Sequence, residues 1–162
     1  MRRLFDTDAS WRSFLQRVAL AGVMLPHGLQ KLGVLGGGGG FDKSAQMLAG
    51  ATHLPYIFGV LGVLAETVGV LLLLFGFFTR LGALGITGIM LGAIFSVHLG
   101  NGFFMNWMGN QAGEGFEYHL LVLALAVPLI VSGGGLWSVD RAIARHWHHH
   151  GEPTLRPAHH AV

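Results

Sequence analysis

The chain is predicted to be all-α: an integral membrane four-helix bundle with both termini cytoplasmic. Three observations carry this. Of the 162 residues, 52% are hydrophobic and only 11% charged, whereas a soluble domain carries about 25% charged residues. The apolar residues collect into four runs, each near the roughly 20 residues that cross a bilayer. The arginines (Arg2, Arg3, Arg12, Arg17, Arg80, Arg141, Arg145 and Arg156) sit in short segments beside those runs. The sequence pI of about 9.5 is therefore a topology signal and not a nucleic-acid patch. No cysteine is present, which excludes disulfides, thiolate iron–sulfur ligation and catalysis by a protein thiol.

In chain order, residues 1–13 are a short, basic and amphipathic cytoplasmic segment, and residues 14–137 are the membrane domain. The first span covers about 14–32. Arg17 and Gln16 interrupt it and no small-x-small cleavage site follows it, so it reads as a retained span and not a signal peptide. Five consecutive glycines, Gly36–Gly40, end that helix in a loop. Residues 41–54 then predict a short interfacial helix with Phe41, Ala45, Leu48 and Ala49 on one face. The second span covers about 55–78 and the third about 81–99, leaving only Thr79 and Arg80 for a tight hairpin. The fourth covers about 118–136. Residues 138–162 form a cytoplasmic tail rich in histidine.

Orientation follows from the basic residues. An even number of spans puts the N-terminal arginines, Arg80 and the pair Arg141 and Arg145 on one side, and cytoplasmic loops carry the excess of Lys and Arg. The loop between His98 and His119 then faces outward. Trp11 and Trp137 fall at the inner interface, and Tyr56 and Tyr118 at the outer one.

Ionisable groups inside an apolar span cost several kcal/mol unless paired or hydrated, so each marks a candidate site. His27, Gln30 and Lys31 lie at i, i+3 and i+4, one helical face near the outer end of the first span. Glu66 lies about mid-membrane, on a face with Gly59, Gly62 and Gly69, where a neighbouring helix can approach closely. A carboxyl there is expected to be protonated or paired with His27, Lys31 or His98. Gly85, Gly88 and Gly92 form a small-residue stripe on the third span, with His98 on a different face. Glu117 and His119 open the fourth span and face roughly opposite ways. Together these residues predict an outward-opening polar pocket with a buried acid at its floor. The candidate roles are catalytic for Glu66 and His27, and cofactor-binding for His27, Gln30, Lys31, His98, Glu117 and His119.

Three segments resemble the DoxX family of small four-span bacterial membrane proteins: LPHGLQKLG in the first span, AETVGVLLLLFGFFTRLGA at the hairpin, and GNGFFMNWMGNQAGEGFEYHLL before the last span. The resemblance covers about residues 12–137. It implies a multi-pass protein of the bacterial inner membrane linked to membrane redox chemistry. Some relatives are similar to the membrane subunit of thiosulfate:quinone oxidoreductase, and others are associated with quinone detoxification or oxidative stress. The family's polar span positions fall on His27, Lys31, Glu66 and Glu117 here.

Three functions compete. A membrane subunit or accessory of a quinone-linked oxidoreductase would bind a quinone head group through His27 or His98 while Glu66 passes protons. A haem held by His27 and His98 is a weaker variant, with no motif to support it. A second reading is a non-catalytic scaffold or assembly partner for a soluble or membrane redox enzyme. A third is a permease for protons or a small solute using Glu66, for which four spans suffice in a homo-oligomer. The expected partners are thus the lipid bilayer and a redox enzyme, with no nucleic acid. His146, His148, His149, His150, His159 and His160 make the tail attractive to stray metal ions, but no metal site is assigned.

Overall fold

The computed structural model describes residues 5–149, and its regular structure is entirely helical, with no strand among the described residues. From Trp11 onward the described residues form α1 Trp11–Lys31, α2 Phe41–Thr52, α3 Tyr56–Phe75, α4 Thr79–Asn101, α5 Glu117–Ser132 and α6 Val139–His149. Arg2 and Arg3, and the tail residues His150, Arg156, His159 and His160, lie outside the described residues.

Helix ends are set by local chemistry. Ser10 caps α1, its hydroxyl accepting from the amides of Arg12 and Ser13 at 3.1 and 3.4 Å, the usual way an N-terminal orphan donor is satisfied. The hairpin between α3 and α4 is made by residues 76–78, not by Thr79 and Arg80, which already belong to α4. Gly76 ends α3 in the left-handed region at φ 64°, a conformation open to glycine at no steric cost. Phe78 follows at φ 48°. The carboxylate of Asp140 then accepts from the amides of Phe78 and Thr79 at 2.7 and 2.9 Å, capping α4 from a distant part of the chain.

Four helices share one apolar core. Leu20, Ala21 and Met24 come from α1, Val70 and Leu73 from α3, Ala83, Ile86 and Met90 from α4, and Val122, Ala126 and Leu129 from α5. The outward faces remain apolar: Leu71 and Phe75 on α3, Leu84 and Phe95 on α4, Leu121 and Val131 on α5 are all exposed. α3, at 20 residues, and α4, at 23, are long and apolar enough to cross a membrane. α5 is equally apolar but runs only 16 residues, ending at Gly133 and not near residue 136.

Glycines set how closely α3 meets its neighbours. A Cβ at Gly59 would fall 2.0 Å from the carbonyl oxygen of Ala45 in α2, and one at Gly82 would fall 2.8 Å from that of Gly69. Gly85 packs on Ala65, whereas Gly88 and Gly92 have no atom within 4 Å of such a Cβ. Those two glycines line an apolar groove of about 610 Å³ running between α2, α3 and α4.

The end where α1 begins and α3 stops, here the tail end, is closed by Arg17. Its side chain is buried at 1% exposure and donates to five backbone carbonyls: Leu73 and Leu74 at the C-terminus of α3 (2.9 and 2.6 Å), and Gly134, Leu136 and Trp137 after α5 (3.0, 3.4 and 3.3 Å). Terminal carbonyls of a helix lack intrahelical partners and carry its negative dipole end, so a guanidinium satisfies both needs. Arg80 does the same nearby, donating to the carbonyls of Ile130 and Asp6, each at 2.8 Å.

Candidate functional site

At the opposite end, here the loop end, α1, α3, α4 and α5 bring the polar span residues together in two groups. The first is built on a close crossing of α1 over α3. A Cβ at Gly28 would lie 2.1 Å from the carbonyl oxygen of Glu66, so only glycine lets α1 lie directly on α3 there. The crossing falls where α3 widens into a π-helical turn, Ala65–Gly69, a distortion that recurs at functional sites. Glu66 is buried at 6% exposure, and the Lys31 ammonium sits 2.5 Å from its Oε2. A carboxylate withdrawn from water is stable only with such a partner. Of the three partners open in the sequence, the structure selects Lys31.

Tyr118 joins this group. From the first turn of α5 it turns inward, half-buried, with its hydroxyl 3.5 Å from both His27 Nε2 and Met24 Sδ. It also lies within electrostatic range of Glu66. The inward turn depends on which face of α5 meets α1, and no local pattern encodes that.

The second group is His98 with His119. A second π-helical turn, Ile94–His98, carries His98, and its ring lies against that of His119 with centroids 4.2 Å apart and planes tilted by 42°. His98 Nδ1 lies 2.8 Å from the Glu114 carbonyl oxygen, while His119 is 7% exposed with its Nδ1 buried and without a hydrogen-bond partner. The rings of His27, Tyr118, His119 and His98 form a continuous row from α1 through α5 to α4, at successive centroid distances of 6.0, 5.7 and 4.2 Å.

The remaining candidates lie apart. Glu117 points into the loop, where Oε1 accepts from the Met105 amide and from Trp107 Nε1, both at 3.0 Å. Glu114 holds the same loop through the Asn106 amide at 2.6 Å. Gln30 is exposed, its amide beside Gly37. Among the described residues no group of three or more His, Asp or Glu side chains is placed to hold a metal ion.

Helical structure throughout the described residues, two helices long and apolar enough to cross a membrane, and a carboxylate–ammonium pair between helices define the class: a helical protein of membrane character with a polar site among its helices. A DoxX family model matches residues 13–99. This chain belongs to the DoxX family. The match takes in α1 to α4 with His27, Lys31, Glu66 and His98, while the loop from residue 102 and α5 lie beyond it. No curated protein and no solved structure matches the chain.

Proposed function

We propose that this DoxX protein spans the bacterial inner membrane four times with both termini cytoplasmic, and serves as the membrane subunit or accessory of a quinone-linked oxidoreductase. The four-span reading rests on α1 and α5 sharing one core with α3 and α4 and exposing apolar side chains of their own, such as Val23 and Val131. Soluble proteins do not expose apolar surface on this scale. The loop end then faces outward and the arginine-rich tail end inward.

The observation that carries the redox reading is the Glu66–Lys31 pair with phenol and imidazole groups beside it at one end of an apolar bundle. A bound quinone would supply a two-electron, two-proton couple. The chain supplies the rest. The Tyr118 hydroxyl and the His27 imidazole are hydrogen-bonding groups for a quinone oxygen, Glu66 and Lys31 hold a proton between them, and the core walls exclude water. The buried, unpartnered Nδ1 of His119 is a further position that a ligand oxygen would satisfy.

The test is an organic extract and optical spectrum of the protein purified in mild detergent. A co-purifying quinone at about one per chain, lost in Glu66→Gln and His27→Ala, is the expected result. A colourless, quinone-free protein sinks the redox-site reading and leaves a scaffold for a partner enzyme. A Soret band would replace the quinone with haem.

A further inference from the structure

The polar site and the tail end are separated by a dry layer. From Glu66 to the end of α3 the buried residues are Gly69, Val70 and Leu73. Leu20 of α1, Ile86 of α4 and Leu129 of α5 are fully buried at 0% exposure, as are Val70 and Leu73. Nine residues of helix make this layer about 14 Å deep. Beneath it Arg17 draws the last carbonyls of α3 and the backbone after α5 onto one guanidinium, and Asp140, 1% exposed, ties down the start of α4. Among the described residues no chain of polar groups crosses this layer, and protons do not move through packed hydrocarbon side chains.

Toward the loop end exposure rises step by step. The Glu66 side chain is 7% exposed and that of Lys31 23%, Tyr118 is half-buried and His27 is exposed. The titratable groups around Glu66 are Lys31 and His27 of α1 and Tyr118 of α5, with His119 and His98 one ring further. α4 offers no ionisable residue between Arg80 and His98. On α2, Asp42 is tied to Tyr56 and Gln46.

We propose that the Glu66–Lys31 pair exchanges protons with the loop side of the membrane alone, past Tyr118 and His27, and that the Arg17 end is a proton-tight plug. The pair is then a one-sided proton store, charged and discharged from the loop side, and not a station on a path through the membrane. This does not depend on which ligand the site binds. It assumes that the helices span the bilayer, and it is defined relative to the loop, so an inverted topology would leave it standing.

The experiment uses the full chain in sealed liposomes, its orientation scored by protease cleavage at a site inserted in Gly36–Gly40. A lipid-soluble carbodiimide reacts with a protonated carboxyl. It gives either an acylurea on Glu66 or, with loss of water taken up as the urea, an amide to the adjacent Lys31. Mass spectrometry counts both, and Glu66→Gln supplies the blank. Each compartment is held in turn at about pH 5 with the other at about pH 8, and the protonated fraction of an exchanging carboxyl changes by up to about tenfold per pH unit. Labelling that rises several-fold with acid on the loop side, and stays flat with acid on the tail side, is the expected result. Labelling that follows the tail side, both sides or neither overturns the proposal. Cleavage at Gly36–Gly40 and in the C-terminal tail of the same molecules in sealed liposomes would instead count against the spanning topology, because an even number of spans puts these two segments on opposite sides, so the two failures are distinct.

Discussion

At the residue scale, the defining feature is a pair of opposite charges held where neither would survive alone. Removing one partner of a buried pair costs more than the pair itself contributes, because the survivor keeps its desolvation penalty without the compensating charge. Lys31→Met should therefore destabilise the protein by on the order of 3 kcal/mol, read as a lower unfolding temperature in detergent. Combining it with Glu66→Met should recover most of that loss, since the two residues are in direct contact and their effects are non-additive. A double variant no more stable than Lys31→Met would show that Glu66 is held by something other than the ammonium. Tyr118→Phe deletes one hydroxyl and little packing, so it should fold normally and weaken any bound quinone, measured as quinone retained per chain. Glu66 and Lys31 were both legible in the sequence, as ionisable residues inside apolar runs. Their pairing was not, because His27, Lys31 and His98 are all within plausible reach of Glu66 until the helices have a fixed rotation.

At the scale of helices, glycine decides the contacts, and it decides them unequally. Gly28 has the Glu66 carbonyl against it, so Gly28→Ala must push α1 away from α3, at a cost of about 1–3 kcal/mol and with loss of the Lys31–Glu66 contact. Gly88 looks into open groove, so Gly88→Ala should be neutral or stabilising through better helix propensity. Thermal unfolding of the two variants side by side checks this, and equal effects would refute the packing described here. The sequence marks both glycines in the same way, as small residues in a span, because spacing reports a face and not what lies against it. The two π-helical turns were similarly invisible, since a widened turn has no compositional signature. Yet these turns carry Glu66 and His98.

At the scale of the whole molecule, the two ends are chemically different. The tail end is knitted by Arg17, Arg80 and Asp140, and the loop end by Glu114 and Glu117 around the segment 105–111. Arg17→Leu should be among the most damaging single changes. Five carbonyls lose the guanidinium at once, and among the described residues only that of Leu73 keeps a second donor, the Gly76 amide; unsatisfied buried groups cost about 1–3 kcal/mol each. Expression and monodispersity in detergent would register it, and normal behaviour would mean that the carbonyls find other donors. Topology is tested separately. A reporter active only outside the cytoplasm should work when inserted in Gly36–Gly40 and fail at the C-terminus, and the reverse pattern would invert the assignment.

What the sequence determined alone was the class of the protein. The scarcity of charge, the apolar runs and the arginine positions follow from transfer free energies that act residue by residue, so they can be read without a fold. It also marked the residues of the site, for the same reason. Tertiary structure decided what those residues do to one another. It chose Lys31 for Glu66, turned Tyr118 inward, set His98 against His119, drew Glu117 into the loop, and made Arg17 a buried clasp where the sequence shows only a flanking charge. Each of these depends on helix rotation and on approaches of a few ångströms between segments distant in the chain. Only the packed whole fixes those quantities.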